Sequence, residues 1–61
     1  MDPRAQAYDR EAVAQRLSIS LRKTDEILLS GQLRSFRIGR RRLVSEKAIE
    51  DYIRRREQEA R

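Results

Sequence analysis

Sixty-one residues suffice for one small domain, and a chain of this length buries only about 60% of the surface its unfolded form exposes, so the core must be minimal. With no cysteine and no histidine there is no disulfide framework, no thiolate or imidazole metal ligand and no imidazole general base, so neither a metal site nor a cofactor is expected. The formal net charge of +5 is confined to one stretch: residues 1–33 hold five basic and five acidic side chains, residues 46–61 hold five of each again, and residues 34–45 hold Arg34, Arg37, Arg40, Arg41 and Arg42 with no acid.

The chain opens on polar Met1-Asp2-Pro3-Arg4, and no apolar run exceeds three residues. Neither a secretion signal nor a membrane span is therefore expected, and the chain reads as soluble and intracellular. Residues 1–7 read as a flexible N-terminus. From there Asp9 can accept a hydrogen bond from the free amides that open a helix, and Val13 and Leu17 recur at i, i+4 beside Ala12 and Ala14, which predicts a first helix from Arg10 to Leu17. Ser18-Ile19-Ser20 breaks it, with Ile19 as the apolar plug of the turn. Ser20 is a good cap for a second helix running to about Ser30, in which Thr24, Ile27 and Leu28 form one stripe and Gly31 supplies a left-handed stop. Two short helices so joined form a helix-turn-helix.

Ser35-Phe36-Arg37-Ile38 then alternates in the manner of a strand, Gly39-Arg40-Arg41 reads as a turn, and Arg42-Leu43-Val44 as the returning strand. The register is open at this level. A three-residue turn puts Phe36, Ile38, Arg42 and Val44 on one face, whereas a two-residue turn buries Leu43 opposite Ile38. Ser45 caps a last helix in which Ala48, Ile49, Tyr52 and Ile53 form a stripe. Beyond Arg54 the chain is almost wholly charged, so residues 8–54 read as the domain and 55–61 as a frayed tail. The expected core is Val13, Leu17, Ile19, Ile27, Leu28, Leu33, Phe36, Ile38, Val44, Ile49, Tyr52 and Ile53. The fold class is a small α+β winged helix-turn-helix in the order helix, helix, two-stranded wing, helix.

A neutral scaffold with one cationic strip is the electrostatic footprint of a nucleic-acid binder, because neutralising phosphates releases condensed counterions. The second helix offers Ser20, Leu21, Arg22, Lys23 and Glu26 as a recognition surface, since the first turn of such a helix reaches base edges in the major groove. Arg22 can pair two acceptors on one guanine, Lys23 suits phosphate, and Glu26 can accept from cytosine. The wing offers Arg34, Arg37, Gly39, Arg40, Arg41 and Arg42 to phosphate or to a narrow minor groove. A charged strand edge that discourages aggregation would also place charges here, but would more usually use lysine, and fewer of them. Arg54-Arg55-Arg56 lies among acids that neutralise it locally. Asp25-Glu26 and Glu50-Asp51 are adjacent carboxylate pairs with no nucleophile or base beside them, so no catalytic residue is assigned and no enzyme is expected.

Tyr8, Ile19-Ser20, Ser30-Gly31-Gln32-Leu33 and Phe36-Arg37-Ile38-Gly39-Arg40-Arg41, followed by a capped helix, resemble the excisionase branch of the MerR-like winged-helix family over roughly residues 8 to 54. The chain departs from that pattern at Arg42 and Ser45, where the family usually has an aromatic residue and a proline, and at Asp25 and Glu26, where relatives often carry aromatic or basic residues. The resemblance implies a phage or integrative-element excisionase, also called a recombination directionality factor. Such a protein binds double-stranded DNA in an attachment-site arm cooperatively, bends it, and directs the cognate integrase toward excision, in the cytoplasm of a bacterial host. It implies self-association on DNA and no cofactor. The alternative is a small winged-helix transcriptional regulator of a phage or bacterium, because promoter binding demands the same surfaces.

Overall fold

The structure, a computed structural model, describes residues 7–60. It runs β1 (Ala7–Tyr8), α1 (Arg10–Leu17), α2 (Leu21–Leu29), β2 (Phe36–Ile38), β3 (Arg41–Ser45) and α3 (Glu46–Glu59). The three strands form an antiparallel sheet in the order β1-β3-β2, which is a winged helix-turn-helix with a short strand added at its N-terminal end. No helix among the described residues is long and apolar enough to cross a membrane.

Each helix begins on a side-chain cap. Asp9 Oδ1 accepts from the Ala12 N–H at 2.9 Å, Ser20 Oγ from the Lys23 N–H at 3.0 Å, and Ser45 Oγ from the Ala48 N–H at 3.1 Å, so an otherwise orphaned amide is satisfied at each start. Helix α1 stops where Ser18 turns left-handed (φ 58°, ψ 44°), and its N–H closes back on Ala14 and Gln15. Helix α2 ends at Leu29, and Gly31 at φ 82° supplies the reversal that leads into Leu33.

The core is Val13, Ile27, Leu28, Leu33, Val44 and Ile49, with Tyr8, Leu17, Ile19, Ala48, Tyr52 and Ile53 partly buried around it. Every helix and strand β3 contributes at least one of the six. Thr24 is fully buried, and its hydroxyl donates to the Ser20 carbonyl at 2.9 Å, so the stripe of α2 hides a polar group at no cost in hydrogen bonding.

Four expectations are corrected. The wing turn has two residues, because Ile38 pairs with Arg41, Arg37 with Arg42 and Phe36 with Leu43; Leu43 therefore faces Phe36, not Ile38. Gly39 alone in this turn has positive φ (62°), the arrangement of a tight hairpin with glycine at its first central position, whose twist matches that of the flanking strands. Phe36 and Ile38 consequently stand on the face away from Val44 and are 43% and 63% exposed, outside the core. The third correction is at the N-terminus, where Ala7 and Tyr8 pair with Ser45 and Val44, so Ala7 belongs to the sheet. Residues 1–6 of the expected flexible stretch lie outside the described residues. The fourth concerns the tail. Helix α3 continues past Arg54 to Glu59, because its charges alternate at helical spacing: Arg54 meets Asp51 at 3.8 Å and Arg56 meets Glu59 at 2.9 Å. Arg55 in addition donates to the Gln32 carbonyl at 2.6 Å, fastening the middle of the helix to the loop after α2.

Candidate nucleic-acid interface

Helix α2 exposes Leu21, Arg22, Lys23 and Glu26, while Thr24, Ile27 and Leu28 face inward. The four candidate side chains thus share the outer face of the second helix of the helix-turn-helix. They are not equally available. Lys23 lies 3.6 Å from Glu26, so each partly neutralises the other, whereas Arg22 has no ion-pair partner among the described residues. The oxygen of Ser20 is engaged in capping. Arg22 is thereby the one uncompensated charge in the first turn of this helix.

Asp25 is drawn off that face. The Arg10 guanidinium grips its carboxylate with two hydrogen bonds, Nε to Oδ1 at 3.0 Å and Nη2 to Oδ2 at 2.9 Å. This bidentate pair holds the Asp25 carboxyl below its usual range and joins the start of α1 to the middle of α2. An acid that would repel phosphate from the recognition face is thus already neutralised. A second pair acts on the opposite side of α1, where Arg16 Nη2 donates to Glu46 at 2.7 Å, ties α1 to the first turn of α3 and depresses the Glu46 carboxyl. The same Glu46 carboxylate raises the pKa of the Tyr8 hydroxyl.

The wing divides its arginines by strand alternation. Arg37 and Arg42 are direct cross-strand partners on the Val44 side of the sheet, and Arg41 opposes Ile38 on the other. Arg40 occupies the turn itself. No carboxylate of the described residues pairs with Arg37, Arg40 or Arg42, while Arg41 reaches Asp9 Oδ2 at 3.6 Å. Arg34 is not part of the wing: it lies in the connection before β2, at its base, beside Phe36, Lys47 and Asp51. An open groove of about 530 Å³ is lined by Asp9, Arg10 and Glu11 at the start of α1, by Asp25, Leu28 and Leu29 of α2 and by Arg40, Arg41 and Arg42 of the wing.

Sequence reasoning alone did not find Asp9 as the anchor of Arg41 or Arg10 as the partner of Asp25. Both partnerships join residues far apart in the chain, and no local pattern encodes them. The exposure of Ile38 was missed for a different reason, since it follows from the length of the turn. A helical face carrying one unpaired arginine, next to a ribbon carrying several, can do two things chemically: contact base edges through α2 and phosphates or a narrow groove through the wing.

Compared with known proteins, residues 7–57 match the family described as a helix-turn-helix domain. No curated protein and no solved structure matches the chain.

Proposed function

The chain belongs to the helix-turn-helix domain family, a DNA-binding fold, and from that premise we propose that it is an excisionase, a recombination directionality factor of a phage or integrative element acting in the cytoplasm of its bacterial host. In this reading it binds the attachment-site arm as duplex DNA, with Arg22 and its neighbours Leu21, Lys23 and Glu26 in the major groove. Arg37, Gly39, Arg40, Arg41 and Arg42 of the wing, with Arg34 at its base, meet the backbone and minor groove. Several copies lie side by side and bend the arm, so that the cognate integrase assembles its excisive complex.

The observation that carries the DNA reading is the Arg37–Arg42 pair. Two guanidiniums on directly opposed residues of adjacent strands repel each other, their Cβ atoms about 5 Å apart, and no carboxylate of the described residues is salt-bridged to either. An anionic partner removes that penalty. The step from DNA binding to excision rests on the Phe36 to Arg41 wing and the flanking Ser30-Gly31-Gln32-Leu33, and on a family that includes excisionase-like proteins. Leu29, 80% exposed at the end of α2, is the side chain we assign to copy-to-copy contact. The test combines the integrase of the same element with paired left and right attachment sites. Addition of the protein is expected to promote excision while leaving integration unaided or inhibited. Indifference of excision, with a response of transcription at a nearby promoter, would establish the regulator reading instead.

A further inference from the structure

Ile38 is 63% exposed, although an isoleucine in so small a domain would ordinarily be drawn into the core. It is the last strand residue before the two-residue turn, so it stands at the tip of the ribbon. Cations surround it along the chain: Arg37 precedes it, Arg40 lies in the turn beyond Gly39, and Arg41 is its cross-strand partner. A stiff, β-branched apolar side chain thus stands at the end of the ribbon between Arg41 on its own face and Arg40 in the turn, with Arg37 on the opposite face.

That combination selects the kind of surface it fits. An apolar patch on another protein would accept the isoleucine but would bury the guanidiniums without counter-charge. An acidic protein surface would accept the arginines and leave the isoleucine unmatched. A DNA minor groove matches both, with phosphates along each rim for the arginines and sugars and stacked bases between them for the apolar side chain.

Resting on the reading that the wing meets duplex DNA, we propose that Ile38 is a wedge that enters the minor groove and partly unstacks one base step, and so is the side chain that kinks the DNA. Arg40 and Arg41 hold the groove walls as it enters. Phe36, two residues back on the same face and 43% exposed, stands behind it and limits how far the tip penetrates. Pyrimidine–purine steps unstack most readily, so the wedge also gives the protein a preference at a position where it makes no hydrogen bond to a base.

The experiment uses the full chain at low salt and duplexes about 30 base pairs long that differ only in one central step, TA, CA, AA or GC, labelled with 2-aminopurine at that step and with a fluorophore pair at the ends. At saturating protein, 2-aminopurine fluorescence is expected to rise several-fold and end-to-end transfer to increase, most strongly for TA and CA. Ile38→Ala and Ile38→Ser are expected to abolish the fluorescence rise and the step preference while keeping the salt dependence of binding, and Ile38→Met to restore both signals. Because the side chain lies outside the core, the variants should keep the wild-type circular dichroism spectrum, which checks the fold. Wild-type protein that binds without any fluorescence rise, or Ile38→Ala that kinks the duplex as the wild type does, overturns the wedge and leaves DNA binding intact. Failure of the wild type to bind duplex at low salt overturns the DNA reading itself, and the wedge with it.

Discussion

Ser18 carries the tightest backbone demand in the molecule, since among the described residues it is the one non-glycine at positive φ. The left-handed conformation crowds its Cβ, and the turn between α1 and α2 depends on it, because the Ser18 N–H must close on Ala14 and Gln15 while Ile19 re-enters the core rim. Ser18→Gly removes the crowding but adds freedom to the unfolded chain. The balance should favour the folded state by about 0.5 kcal/mol, or a rise of roughly 2–4 °C in melting temperature for a domain this small. Calorimetry of the two proteins checks it. Asp25 and Glu46 carry a second residue-scale consequence. Both carboxyls are depressed, by Arg10 and by Arg16 respectively, so they bind protons more readily in the unfolded chain than in the folded one. Their contribution is fully present above the ordinary carboxylate range near pH 4 and is lost as pH falls through their lower folded values. Melting temperature should therefore drop as acid is added below about pH 4.5, and Glu46→Gln should show a shallower drop than the wild type.

At the scale of elements, what was legible in the sequence was whatever is encoded locally. The caps at Asp9, Ser20 and Ser45, the bounds of α1 and the stop at Gly31 each depend on residues within one turn of one another. The wing is different. Its strands could be recognised from alternation, but a shift of one residue in the turn exchanges the two faces, and alternation cannot choose between Gly39-Arg40 and Gly39-Arg40-Arg41. The structure takes the two-residue turn: β3 presents Val44 to the core, paired with Tyr8, and the Phe36–Leu43 and Ile38–Arg41 pairs put Phe36 and Ile38 on the other face. The end of α3 lies beyond the expected Arg54 because helix-spaced pairs and the long-range bond from Arg55 to the Gln32 carbonyl hold the last turns. Of the candidate site, the identity of the exposed residues on α2 was readable from its buried stripe, whereas the engagement of Asp25 by Arg10 was not. These elements should separate in mutagenesis. Arg22→Ala should flatten discrimination between specific and random DNA, as loss of one bidentate contact worth about 1–3 kcal/mol. Arg40→Ala with Arg41→Ala should weaken both kinds of binding and reduce the salt dependence, with the fold retained. Binding curves on the two DNAs at several salt concentrations distinguish these results, and equal loss of specificity from both variants would refute the division of labour between helix and wing.

For the molecule as a whole, the organisation is a segregation of charge over a core of six buried apolar side chains. Acids and bases balance over α1, α2 and α3 taken together, where ion pairs fasten helix to helix, and the excess collects on the wing and on Arg34 at its base. If three to five of these arginines meet phosphates, the affinity for duplex DNA should fall by about 40- to 500-fold between 50 and 200 mM salt, and near-constant affinity over that range would contradict the interface. The same segregation predicts that stability and function oppose each other at Arg37. Facing Arg42 across the strands, with no carboxylate of the described residues salt-bridged to it, Arg37 destabilises the free protein. Arg37→Thr removes the repulsion and installs a residue suited to a strand, so the free domain should gain a few tenths of a kcal/mol in chemical denaturation. On DNA the balance reverses, because the phosphate that compensated the pair loses one of its cations: affinity should weaken and the log–log salt slope should shrink by about one phosphate equivalent. A variant that lost stability and bound DNA unchanged would show that the opposed arginines serve the fold. Gain in the free state together with loss in the bound state is the result expected if they are held in place for DNA.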